Sequence, residues 1–244
     1  MRKLSLRIFF IIALPVLLLC GCNAPGTGGD VLPTSADTPE KIYMDYLPGT
    51  IVRYGSYEQD NDTGNGAEPI EWVVLANEGS RVLLITCDVI ELQKMHSNFN
   101  TVSWKDTSLR KWLNSTFINA AFSADEQSII QETETMNGIT DKVFILSNSE
   151  IDEIEKYIAF NKDLLRPKAS KRVLAKAHPN SLFIDINKER SSWWTRTSAG
   201  TASYCYVSMQ GEICRQAQLA QNQEIGIRPA LWVESVYPQL EKAG

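Results

Sequence analysis

Two apolar runs, Ile70–Ala76 (IEWVVLA) and Arg81–Cys87 (RVLLITC), are separated by only Asn77-Glu78-Gly79-Ser80. β-Branched side chains favour extended backbone, and a short link containing Asn and Gly turns a chain back on itself. This stretch is therefore expected to be an antiparallel hairpin. A different period follows it. Leu109, Trp112, Leu113 and Phe117 recur at helical spacing, with Asp106 or Thr107 placed to cap the first turn. Ser123–Glu126 and Ser147–Glu150 each carry the Ser-x-x-Glu pattern in which side chain and backbone cap one another. The first opens a short helix, and the second opens one running to about Ile158. Thr50–Tyr57, Val143–Leu146, Trp193–Thr197, Tyr204–Met209, Glu212–Gln216 and Ile227–Val233 read as further strands. Strands and helices are mixed, with no internal repeat. The expected class is α+β: small antiparallel sheets flanked by two or three short helices.

The N-terminus is read differently. Arg2, Lys3 and Arg7 precede an apolar run, Ile8–Leu19, and then Leu19-Cys20-Gly21-Cys22. The run falls short of the ~20 residues a membrane span needs. Together these features resemble a lipoprotein signal peptide over residues 1–21, with Cys22 as the lipidated residue of the mature chain. Cys20 is the weaker choice, because bulky Leu19 would then precede the cleavage point. Acyl chains on Cys22 would make the membrane a partner through its lipid. The chain is thus expected to be exported and held on the outer face of the cytoplasmic membrane, or on the outer membrane of a Gram-negative cell. Residues 22–46, rich in Gly, Pro and Thr, read as a flexible tether, and removal of 23–46 is expected to be harmless. The domain is expected over 47–236, followed by a C-terminal tail at 237–244.

Formal charge is −5 for the whole chain, and about −8 once Arg2, Lys3 and Arg7 are removed. An acidic domain lacks the basic face that phosphate neutralisation requires, so nucleic acid is not an expected partner. His96 and His178 are the two histidines, and no Cys-x-x-Cys occurs. No metal, cofactor or catalytic residue is assigned. Asp60, Asn61, Asp62 and Asn65 are oxygen-rich but lack the Glu that closes an EF-hand loop, and a polar turn explains them as well. Cys205 and Cys214 flank Gln210-Gly211. A hairpin there would set them opposite one another as a candidate disulfide, or one register apart as two thiols.

Several polar and aromatic residues are candidates for ligand contact. Strand alternation puts Trp194 and Arg196 on one face, a platform suited to sugar rings or a peptide, with Trp193 on the core side. Arg228, made extended by Pro229, could take a ligand carboxylate or hold buried carbonyls or a carboxylate such as Glu71. Arg110 and Asn114, four apart on a helix, could line a groove or face solvent.

Four segments carry a family resemblance: Ile70–Leu75; Ser108–Asn114 with Phe117 and Phe122; Trp193–Thr197; and Gly226–Trp232. In order and spacing they resemble domain-of-unknown-function family 6273, found in exported bacterial proteins, over about 47–236. Thr197-Ser198-Ala199-Gly200 stands where that family ordinarily has Ser-Pro-Gly. The closing Gly-x-Arg-Pro-Ala layout is similar to the C-terminal part of C-type-lectin-like domains, and the resemblance implies that fold. The expected role is a surface binding module for a glycan or protein ligand, with residues 161–190 and 198–203 as variable loops. A cell-envelope enzyme and a structural subunit of an envelope assembly are the alternatives.

Overall fold

The hairpin forms as expected in a computed structural model that describes residues 41–157, 162–236 and 240–243. The leader, Cys22 and residues 23–40 lie outside the described residues. Strand β1 (Ile51–Tyr57) leads into the hairpin strands β2 (Glu68–Asn77) and β3 (Arg81–Thr86). After β4 (Glu91–Leu92), one helical run comprises α1 (Ser108–Trp112), a π-helical turn (Leu113–Phe117) and α2 (Ile118–Ala121). Then come α3 (Ala124–Ile129), β5 (Ile130–Gln131), β6 (Thr133–Met136), β7 (Ile139–Asp141), α4 (Asn148–Tyr157) and α5 (Lys171–Lys176). The chain closes with β8 (Ile184–Asp185), β9 (Arg190–Ser191), β10 (Trp193–Gly200), β11 (Ser203–Val207), β12 (Ile213–Leu219), β13 (Gly226–Ile227), β14 (Ala230–Glu234) and β15 (Glu241–Lys242). The class is α+β.

Two sheets organise the domain. One runs β15-β1-β2-β3-β14-β5 and the other β12-β11-β10-β13-β4. Their pairings are antiparallel except for β10 with β13. Strand β3 is central, so Val82 through Thr86 are all buried, whereas β2 alternates and buries Ile70, Trp72 and Val74. The helical run packs on β1 and β2 through aromatic rings. Phe122 lies 5.1 Å from Tyr54 and 6.2 Å from Trp72, and Phe117 lies 5.2 Å from Tyr57. Thr107 caps α1 by accepting the Arg110 N–H, and Ser123 with Glu126 forms the expected reciprocal cap of α3.

The structure corrects four boundaries. Ile227–Val233 is not one strand: β13 belongs to the smaller sheet and β14 to the larger, so the chain changes sheet at Arg228-Pro229. Pro229 lacks the N–H a continuous ladder would need. Val143–Leu146 forms only an isolated bridge, Phe144 to Ala230. The domain begins at Lys41 rather than Leu47: Tyr43 bridges Val236, the Met44 N–H donates to Ser235 O at 2.7 Å, and Tyr46 is buried. The supposed tail contributes buried Leu240 and β15, which pairs with β1. The two expected variable loops are also more regular than anticipated. Residues 198–200 end β10, Ser203 opens β11 and only 201–202 form the turn between them, while 162–190 contains α5 and β8.

Candidate functional site

The residues expected to contact a ligand are brought into the interior instead. Trp193 and Trp194 are both fully buried. Trp194 Nε1 donates to Gln93 O at 3.0 Å, so this ring positions a loop from beneath. Arg196 is 8% exposed and binds Glu150 through both terminal nitrogens, while also donating to Ile145 O at 2.7 Å and Thr135 O at 3.1 Å. Glu150 is the α4 capping residue and accepts the Ser147 N–H at 2.8 Å, so one carboxylate closes both the cap and the arginine. The aromatic–arginine platform is therefore withdrawn.

Arg110 and Asn114 do share a helix face, but it meets β7 rather than a groove or solvent. Both donate to Asp141 Oδ1, at 2.6 and 3.3 Å, and Trp104 Nε1 donates to the other oxygen at 2.9 Å. Asn114 also accepts the Lys142 and Val143 N–H groups at 2.9 and 3.1 Å. Both side chains are thus engaged in holding β7 and the backbone after it.

Arg228 sits at the corner where the chain changes sheet, 1% exposed. Nε and Nη2 donate to Thr86 O at 3.0 and 2.6 Å, Nη2 also reaches Cys87 O at 3.3 Å, and Nη1 donates to Leu164 O at 2.6 Å. The guanidinium lies 5.1 Å from the centre of the Trp193 ring. Burial depresses its pKa to about 10, which leaves it charged at neutral pH. Of the partners open to it, the carbonyls are the ones it takes, while Glu71 pairs with Arg53 at 3.0 Å. The neighbouring glycine of the closing motif is also explained: a Cβ on Gly226 would fall 2.1 Å from Val89 Cγ1.

Of the two arrangements open to Cys205 and Cys214, the structure has the unbonded pair one register apart. Strand register sets Cys214 opposite Tyr206, so Cys205 points to the other face of β11, and both are free thiols. Burial pushes the Cys87 thiol up to about 12 despite Arg228 beside it, so it is no ready nucleophile. In the polar turn, Asp60 accepts from the Asp62 N–H at 2.8 Å and Asn65 Nδ2 at 2.9 Å. Carboxylate oxygens of Glu58, Asp60 and Glu68 lie within 4.8 Å of one another there.

Sequence reasoning missed Glu91, although a lone Glu inside Val89–Leu92 is a visible signal. It is 2% exposed and accepts from Lys176 Nζ at 2.5 Å, Arg172 Nε at 2.9 Å and Tyr57 Oη at 3.2 Å. Burial alone would raise its pKa, but Lys176, the Leu92 N–H and Arg172 outweigh it and the net shift is downward. Its contribution to stability is therefore complete above the ordinary value of 4.5 and is lost as pH falls through the lower folded value. Acid unfolding followed by tryptophan fluorescence should show a steeper loss of stability below about pH 4.5 in the wild type than in Glu91→Gln. Identical slopes would remove Glu91 from this role.

What remains exposed is a set of loops, of which the sequence singled out only 198–203. Residues 93–103, 201–203 and 219–224 are bonded together beside β10–β12. The His96 N–H donates to Ala220 O at 2.9 Å, the Ala220 N–H to Ala202 O at 2.9 Å, Gln221 Nε2 to Ser97 O at 3.2 Å, and Tyr204 Oη to Val102 O at 2.8 Å. On this framework Phe99 is 66% exposed and Leu219 49% exposed, with Asn98 and Asn100 also at the surface. A lone aromatic between two asparagines was the signal available. Ser97 Oγ lies 3.0 Å from Ser108 Oγ, which lies 3.2 Å from His96 Nδ1.

Two mainly antiparallel sheets stitched by buried arginines, with a braced loop cluster at their edge, define the class as an α+β domain. The chain belongs to the family described as a domain of unknown function, DUF6273, whose sequence pattern matches residues 79–235. No curated protein and no solved structure matches it.

Proposed function

We propose that the protein is a lipid-anchored binding module of the cell surface, and that its loop cluster contacts a glycan or protein ligand. The observation that carries the reading is Phe99, held out at the surface by loops whose backbones are bonded to one another. An exposed aromatic flanked by amide side chains suits stacking on a sugar ring or an apolar side chain, with hydrogen bonds at its rim. The Leu19–Cys22 motif supports the anchor, and among the described residues no helix is long and apolar enough to cross a membrane. A C-type-lectin-like arrangement is part of the proposal. It is supported by the small antiparallel sheets and by a late strand, β14, entered through Arg228-Pro229.

Glycan arrays and pull-downs from envelope extracts test the reading. Wild type is expected to retain a ligand that Phe99→Ala loses by tenfold or more, with unchanged melting temperature. Full retention by Phe99→Ala would remove the loop cluster from the function. Fatty-acid labelling is expected in the wild type and absent in Cys22→Ala, and label persisting in that variant would overturn the anchor. A second reading, an envelope enzyme, draws on the Ser97–Ser108–His96 chain. Covalent labelling of Ser97 by a fluorophosphonate would favour it.

A further inference from the structure

Charge is unevenly distributed over the domain. Residues 162–190 carry eight Lys and Arg against three Asp and Glu, whereas the rest of 41–243 carries thirteen against twenty-three. The structure folds this basic segment back on itself. Lys168 pairs with Arg190, and Arg190 with Asp185, so three short extended pieces lie side by side. Helix α5 follows at once, capped by Ser170. Arg172 and Lys176 are bound to Glu91, but Lys168 and Lys171 are exposed, and the Lys188 side chain is 75% exposed with Asp185 no nearer than 3.5 Å. The same stretch presents Leu182, 82% exposed, and Ile186, 41% exposed.

That combination selects the partner. A soluble polyanion would satisfy the lysines but leave Leu182 and Ile186 in water. An anionic bilayer takes both, because lysines meet lipid phosphates while aliphatic side chains enter the interfacial layer. We propose that the 162–190 face docks on anionic phospholipid bilayers. The acidic remainder of the domain is repelled by the same surface, so attraction and repulsion together fix one orientation. The contact does not depend on lipid at Cys22 and does not involve Phe99, so it stands or falls separately from the binding-module reading.

The test uses the chain from residue 22 with Cys22→Ser, which cannot carry an acyl group, sedimented with vesicles. Binding is expected to vesicles containing phosphatidylglycerol, at least tenfold weaker to phosphatidylcholine alone, and to decline with added salt. Lys168→Glu/Lys171→Glu/Lys188→Glu is expected to cut anionic-vesicle binding at least tenfold. Leu182→Ser should cut vesicle binding severalfold while leaving any binding to polyphosphate unchanged. Circular dichroism and melting curves check that these surface substitutions leave the fold intact. Equal affinity for both vesicle types, or a charge-reversed variant that binds like wild type, would overturn the proposal. So would vesicle binding indifferent to Leu182→Ser, which would assign the lysines to a soluble polyanion.

Discussion

Arg228→Ala is expected to lower the unfolding free energy by about 3 kcal/mol or more, the scale of several buried acceptors losing one shared donor. The change leaves the carbonyls of Thr86, Cys87 and Leu164 without their donor in an interior sealed by Trp193. Each orphaned acceptor costs about 1–3 kcal/mol. Some of that is offset, because an arginine whose pKa burial has depressed to about 10 also sheds a desolvation cost when it is removed. Arg228→Lys should recover little, since a single ammonium cannot span acceptors that the planar fork reaches from three nitrogens. Urea unfolding monitored by tryptophan fluorescence measures both variants. A loss below about 1 kcal/mol for Arg228→Ala would show that the corner holds without its guanidinium.

Tyr46→Ala should cost a similar amount, about 3–5 kcal/mol for truncating a buried aromatic. Tyr46 is 1% exposed, and its hydroxyl donates to Leu240 O at 2.7 Å. Truncation after residue 46 should do at least as much damage, because it also removes the Met44 contact to Ser235 and the Tyr43 bridge to Val236. Thermal melting separates this from the tether expectation: if a chain starting at Leu47 melts like one starting at Lys41, the packing of this segment carries no stability.

How much of this was legible follows from range. The β2–β3 hairpin and the Ser123 and Ser147 caps are written in neighbouring residues, and they formed. Asp141 lies 31 residues from Arg110, Glu150 lies 46 from Arg196, and Glu91 lies 81 from Arg172. Local spacing carries no information about such pairs, so arginines that looked available for a ligand were already committed. At Ile227–Val233 the apolar run is continuous although the strand is not. Pro229 was the local sign of a break, overridden by hydrophobicity on either side. Tyr46 was obscured by composition, since the Gly- and Pro-rich stretch before it made its surroundings look like linker. Phe99 was marked only by its two flanking asparagines, because exposure in a loop has no periodic signature.

The meeting of the chain's two ends also has a consequence in time. Tyr46 and Leu240 touch across a sequence separation of 194 residues, and β15 pairs with β1 beside them. Contacts between such distant segments form late, since most of the chain must be closed into a loop before they can be made. During synthesis the segment around Tyr46 has no partner until Leu240 emerges. Were the chain exported N-terminus first, as proposed, the edge of the large sheet would stay unsealed until residues 241–242 had passed through the pore.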